Sequence, residues 1–420
     1  MAQAAAVGNA IRVRLGRYAM QQLSPAETAL VTAIAPAPML AQVEAWSAIN
    51  SGTRNLAGLA MQAEALAEAF AALPGSLELR NPAPVEAVAA DGRVQPLAHG
   101  RHLLLSVRPG ASRRILLTGH MDTVFASDHP FQTQRWIDDA TLNGPGVADM
   151  KGGLAVILAA LTAFETSPSA ARIGYDVLVN SDEETGSLSS AALIAELAQG
   201  KAAALTYEPS ALPDGTLAGA RGGSGNFSAV VTGRAAHAGR NPGWGRNAIV
   251  AAADLALRLK AMESASLAIN PARIEGGGAN NVVPDHAILR FNIRPRDTLD
   301  AERFDHAIYG VCREVELEHE VTVRLHGGIT RPPKPLTPAA EALFGLVRDC
   351  GAALGQSIAW QPSGGVCDGN NIAAVGVPVV DTMGVRGGAI HSDEEYLIVP
   401  SLAERAALSA VVLHRLAGGE

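Results

Sequence analysis

The sequence predicts an α/β protein: a larger α/β sheet domain interrupted by a smaller inserted domain in the ferredoxin-like βαββαβ arrangement. Three observations carry this. Strand-length apolar runs alternate with helical periodicity in the first half of the chain. The order then changes, over residues 215–328, to strand, helix, strand, strand, helix, strand. A proline-rich stretch, ITRPPKPLTP, reads as a linker, and the helix–strand alternation resumes after it. The expected division is therefore 1–214 and 329–420 for the larger domain and 215–328 for the insert.

From Pro36 to Leu73 the apolar positions Leu40, Val43, Trp46 and Ile49, followed by an Ala/Leu/Glu-rich stretch, predict helix. LELRN and HLLLSV are short strands, and RRILLTGH is a buried strand ending at His120. Leu154, Ile157, Leu158, Leu161 and Phe164 give GGLAVILAALTAFE helical spacing. YDVLVNSDEE is strand then acidic turn, SSAALIAELA helix, and AAALTYEPS strand ending at Glu208. In the insert, NFSAVVTGRAA, SLAINPARIEG, HAILRFNIRP and VTVRLHG are strands; NAIVAAADLALRLKAME and LDAERFDHAIYGVCREVE are helices. A helix from Ala339, the strand VPVVDTM and the helix SLAERAALSAVVLHRLA complete the chain.

At 420 residues two domains are the default, and 48% hydrophobic residues support full cores. A net charge of −8 without a Lys/Arg-rich run argues against a nucleic-acid partner. Cys312, Cys350 and Cys367 are scattered and odd in number, so neither a disulfide framework nor a zinc–thiolate site is expected. The start, MAQAAAVGNAIRVRLGRYAMQQLS, does not read as a signal peptide, and no stretch reads as a membrane span. The expected compartment is the cytoplasm, with no membrane partner.

Ligand-type side chains gather where strands end or helices begin: His120 and Asp122 in TGHMDTVF, Asp149 in GPGVADMKGG, Glu183 and Glu184 in NSDEETGS, Glu208 in YEPS, and His391 in AIHSDEEY. Taken singly, each has a plainer explanation: a structural histidine, a helix N-cap, a solvated acidic face, a turn before proline. Together they would need every plain explanation to hold independently. Imidazole with carboxylate and no thiolate suits Zn²⁺, with Mn²⁺ or Co²⁺ as substitutes. Ligand groups from five such stretches exceed what one zinc uses, which favours two metals sharing a carboxylate.

The stretches GHMDTVF, GPGVADMKGG, SDEETGS, EPS, GRAAHAGRNP and AIHSDEEY resemble the dinuclear zinc amidohydrolases, which include glutamate carboxypeptidases, aminoacylases, acetylornithine deacetylase and succinyl-diaminopimelate desuccinylase. The bacterial glutamate carboxypeptidase branch is the most similar. The resemblance implies a catalytic α/β domain with the insert as lid and dimerisation domain, and two Zn²⁺ per subunit. His120 and Glu208 would bind one metal, Glu184 and His391 the other, and Asp149 would bridge. Glu183 would be the general base acting on a water shared by the metals, with Asp122 orienting His120. A cis peptide at Asp149–Met150 is also implied. His237, in RAAHAGRNP, would stabilise the oxyanion from the other subunit of a homodimer.

The resemblance further implies that Asn281, in GGGANNVVP, and Arg294, in FNIRP, contact the substrate's carbonyl and α-carboxylate; a one-residue slip in register would substitute Asn280. Gly364 and Gly365, in PSGGVCDGNN, are candidate backbone donors to substrate, with a simple turn as the alternative. Glutamate-cleaving members carry an early lysine in the insert. Here only Arg221 and Arg234 lie between Glu208 and His237. Arg221 is the candidate substitute, and a neutral or aromatic leaving amino acid stands beside glutamate. The expected activity is hydrolysis of the amide bond to a C-terminal amino acid in N-acyl amino acids or short peptides. A biosynthetic N-acyl amino acid deacylase and a non-catalytic metal-binding homologue are the alternatives; the presence of Glu183 and all five ligands disfavours the second.

Overall fold

The computed structural model describes residues 23–418, so all but the last two residues of the N-terminal stretch read above for a signal peptide lie outside the described residues. The expected helical region after Pro36 is two helices, Pro36–Ser47 and Leu56–Phe70. Asn55 ends the break between them by accepting the Gly58 N–H at the second helix's N-terminus.

The larger sheet has six strands in the order Ser76–Arg80, His102–Val107, Gly174–Asn180, Arg114–His120, Ala203–Thr206, Val379–Val380. The first two are antiparallel to their neighbours and the last four run parallel. From Arg114–His120 the chain passes to the strand on one side, then crosses to Ala203–Thr206 on the other. Such a reversal opens a crevice at the carboxyl ends of parallel strands.

Alternation along the central strand explains the layers. Ile115 and Leu117 join the large core with helices Pro36–Ser47, Gly152–Glu165 and Ser401–Leu416, whereas Leu116 joins a smaller core with Ile194 and Ile372 on the opposite face. One segment, the 19-residue Val147–Glu165, is long and apolar enough to cross a membrane by length and composition alone, with a mean hydropathy of 1.6 over an 18-residue window. It is 89% buried inside the protein, and a helix surrounded by core is apolar all round.

A second sheet is four-stranded and antiparallel, in the order Leu267–Gly276, His286–Pro295, Ser224–Thr232, Thr322–Arg331, and it falls in the region expected to be the insert. Helices Ala248–Ala261 and Thr298–His319 contribute to its separate core, where Phe227 and Phe291 stack 5.1 Å apart. At its root, Arg221 and Lys334 exchange backbone hydrogen bonds of 2.9 and 2.9 Å. The stretch read as a linker is thus more ordered than expected. Ile329–Arg331 end a strand, and the buried Lys334 ammonium lies 2.9 Å from Asp381.

Candidate metal centre

Each proposed ligand sits where the local fold stops being regular. His120 is the last residue of Arg114–His120, and Glu183 and Glu184 lie in the short 3₁₀ turn after Gly174–Asn180. Glu208 follows Ala203–Thr206 by two residues. Asp149 precedes helix Gly152–Glu165, and the Asp149–Met150 peptide is cis. Gly153 lets that helix approach the Glu208 segment: a Cβ there would collide with the Tyr207 carbonyl oxygen. His391 takes a left-handed φ of 65°, a conformation uncommon for a residue with a Cβ.

Two clusters result, and Asp149 belongs to both. His120, Asp149 and Glu208 bring their ligand atoms within 4.8 Å of one another, as do Asp149, Glu184 and His391. His120 Nε2 lies 3.1 Å from Asp149 Oδ1 and 3.6 Å from Glu208 Oε2. His391 Nε2 lies 3.3 Å from Asp149 Oδ2 and 3.2 Å from Glu184 Oε2. The two oxygens of one carboxylate therefore face two different imidazoles.

The electrostatics show what such a centre demands. Burial opposes charging of His120, but the Glu208, Asp122 and Asp149 carboxylates hold its pKa well above the usual histidine value. Burial, reinforced by Asp149, pushes Glu184 up to about 7. Burial also raises Glu183, against the opposing Arg331 charge. Burial likewise opposes ionisation of Asp149, yet the two histidines keep its carboxyl well below the ordinary range. The Glu208 Oε1 atom is buried without a hydrogen-bond partner. An orphaned carboxylate oxygen beside imidazoles fits a cation, and the nitrogen–oxygen donor set fits zinc.

Around the ligands lies a supporting set. His120 Nδ1 lies 3.0 Å from the Asp122 carbonyl oxygen and 3.4 Å from its carboxylate, so the nearer of the two Asp122 acceptors is backbone. The Asp182 carboxylate accepts from Ser189 N–H, Ser189 Oγ and Ser190 Oγ at 2.6, 2.9 and 2.6 Å, which fixes the turn that carries Glu183 and Glu184. Three residues here were not singled out from the sequence. Thr53 donates to Asp122 at 2.7 Å. Glu395 accepts the N–H groups of Gly146, Ala148 and Asp149 at 3.1, 2.9 and 3.0 Å. Arg331 donates to Glu183 Oε1 at 2.7 Å.

A cavity of about 460 Å³ opens beside the ligands, lined in part by Glu183, Ser210, Arg221, Gly365, Ile390 and Tyr396. Gly365 is on its wall, but its N–H already donates to Ser363 Oγ at 3.3 Å, and Gly364 is not among the lining residues. Arg221 is committed to Asp381 through Nε at 2.8 Å and Nη2 at 3.1 Å, and to the Gly365 carbonyl at 2.9 Å. His237, Asn281 and Arg294 are exposed on the insert and do not line this cavity. Val282, next to Asn281, pairs with His237 in a short antiparallel ladder, and Arg294 donates to Asn292 at 2.9 Å.

The sequence profile of peptidase family M20/M25/M40 matches residues 116–415. The chain belongs to this family. It is 29% identical over 335 residues to carboxypeptidase G2 of Pseudomonas sp. (strain RS-16), covering 77% of this chain and 79% of that protein. It is 30% identical over 326 residues to succinyl-diaminopimelate desuccinylase of Xanthomonas oryzae pv. oryzae (strain PXO99A), covering 72% of this chain and 83% of the other. Among solved structures, a tripeptidase from Staphylococcus aureus subsp. aureus mu50 superposes with a TM-score of 0.69 at 22% identity, over 92% of this chain and 100% of that one. A dinuclear metal-binding M20 peptidase from Bacillus subtilis does so at 0.61 and 15%, over 92% and 99%. This M20 chain is accordingly an enzyme of the metallopeptidase and amidohydrolase kind.

Proposed function

We propose that this enzyme hydrolyses the amide bond to a C-terminal amino acid in N-acyl amino acids or short peptides, using two Zn²⁺ per subunit, with Mn²⁺ or Co²⁺ as possible replacements. The observation that carries the reading is the division of the Asp149 carboxylate between His120 and His391. His120 and Glu208 would hold one ion, Glu184 and His391 the other, and Asp149 both. The ions would supply Lewis acidity and lower the pKa of water toward neutrality. Glu183 is the general base: it takes the proton of the attacking water and returns it to the leaving amine. Its raised pKa suits a group that must hold a proton between those two steps.

The insert, in the ferredoxin-like strand order, would serve as lid and dimerisation domain, with domain limits 1–214, 215–328 and 329–420, the last strand of its sheet running three residues past that limit to Arg331. His237 would reach the partner subunit's centre as oxyanion donor, with Asn281 on the substrate carbonyl and Arg294 on its α-carboxylate. Their exposure away from the cavity of their own chain supports a role in trans within a homodimer. Gly364 and Gly365 remain the proposed backbone contacts. Asp381 and Gly365 already occupy Arg221, and His391 faces Asp149 and Glu184 as a proposed metal ligand, so the described cavity residues offer substrate no uncommitted cation. That supports a neutral leaving amino acid over glutamate. A cytoplasmic location is supported by three free, buried cysteines.

The test is Glu183→Ala. The variant should keep both metals and lose at least roughly a hundredfold in rate, the scale of acid–base catalysis. Near-normal turnover would refute the mechanism.

A further inference from the structure

Arg331 is among the largest fully buried side chains of the protein, with a relative exposure of 1%. A guanidinium taken out of water must be neutralised and hydrogen-bonded nearly completely. Here Nη1 donates to Asp368 Oδ1 and Asn371 Oδ1, each at 2.6 Å. Nη2 donates to Ser187 Oγ at 2.7 Å, to the Glu183 backbone carbonyl at 3.3 Å and to Glu183 Oε1 at 2.7 Å. Asp368 and Ser187 are themselves joined at 2.6 Å, and Asn180 binds both Asp368 and Ser187, so the cation sits in a closed frame. One planar fork thereby holds both the backbone and the carboxylate of Glu183.

The frame leaves the second carboxylate oxygen of Glu183 out of the Arg331 bond, and Glu183 lines the cavity. That is the arrangement a base needs: one oxygen anchored, the other presented. Arg331 is also the last residue of the insert's strand Thr322–Arg331, where it pairs with Ser224. The cation that holds the base is thus supplied by the root of the insert and not by the sheet that carries Glu183.

We propose that Arg331 is a positioning residue for the reaction, fixing the orientation of the Glu183 carboxylate and tying it to the root of the inserted domain. This rests on Glu183 being the base. Geometry of this kind governs the chemical step more than substrate binding, because a displacement of about 1 Å in a catalytic group costs up to about a hundredfold.

The experiment is a double-mutant cycle in the zinc-loaded full chain: Glu183→Gln, Arg331→Met, Arg331→Lys and the combined variants. Rates, KM, metal content and melting temperature are measured for each. Arg331→Met should lower kcat by about 10- to 100-fold with KM and metal content unchanged. Arg331→Lys should recover part of the loss. In the Glu183→Gln background, Arg331→Met should cost less than about twofold, because residues acting as one unit are not additive. If Arg331→Met does not fold, Arg331→Lys carries the same cycle. A raised KM at unchanged kcat would assign Arg331 to substrate and overturn the inference. So would a loss undiminished in the Glu183→Gln background. Wild-type kcat in Arg331→Met beside an inactive Glu183→Gln overturns the inference alone, whereas a fully active Glu183→Gln overturns the base assignment as well.

Discussion

The carboxylate of Asp122 accepts the backbone N–H of Glu183 at 3.2 Å. Its other oxygen accepts the N–H of Glu184 at 3.2 Å, and His120 lies beside it. One buried side chain thus registers the proposed base Glu183 and a candidate ligand from each cluster, Glu184 and His120. Asp122→Ala would leave those backbone donors unpaired and remove the carboxylate beside His120, whose ring keeps only the residue-122 backbone carbonyl. Metal affinity should fall by about 10- to 100-fold, the usual cost of losing a partner behind a ligand. Chelator competition measures it, and an unchanged dissociation constant would count against the role.

Metal binding should release protons. Without metal, hydrogen bonds to Asp149 and Glu184 hold the His391 pKa up at about 11, above its ordinary 6.5. The sign follows from linkage. A histidine raised on folding contributes stability that is complete below about 6.5 and is lost as the pH climbs through about 11. A metal needs the neutral ring, so binding must displace that proton. Apparent zinc affinity should therefore strengthen from pH 6 to pH 8. Calorimetry in buffers of different ionisation enthalpy reads the released protons; pH-independent binding without release would contradict it.

Glu395 supports the Asp149 segment from behind, as the acceptor of three backbone N–H groups. Glu395→Ala orphans them at about 1–3 kcal/mol each, lowered wherever water enters. A drop of several degrees in melting temperature is expected, with reduced metal content. Glu395→Gln, which keeps an acceptor oxygen, should lose less. Equal melting of Glu395→Ala and wild type would remove the role.

The thiols should be inert in the native protein. Burial pushes Cys312 up to about 11 and Cys350 up to about 12, and holds Cys367 well above the ordinary thiol value. The thiolate is the reactive form, so a disulfide reagent at pH 8 should label none of the three until denaturant is added. Rapid labelling of the folded chain would show that one of these sites opens.

The proposed ligands could be picked out because most lie at or near the end of a strand or the start of a helix, and such ends leave marks in hydrophobic patterning. His120, Glu208 and Asp149 could be found that way. Arg331 could not. It stands in a proline-rich stretch that reads as a linker, and its five acceptors are distant in sequence or hidden in turns. Glu395 was lost among the neighbouring acids Asp393 and Glu394; only the backbone donors of a segment some 250 residues away distinguish it. Arg221 shows the converse: a partner that the sequence does not reveal. Its position suggested a reader of substrate charge, and what commits it is Asp381, 160 residues later.

The proposed insert would leave and re-enter the larger domain through one narrow stem, where the backbones of Arg221 and Lys334 are already hydrogen-bonded to each other. Such a stem is a natural seam for excision, since the cut ends would lie side by side and a short loop could join them. The seam nevertheless runs on the wrong side of one guanidinium. A chain trimmed there would keep every proposed metal ligand, yet Glu183 and Asp368 would face each other with no cation between them.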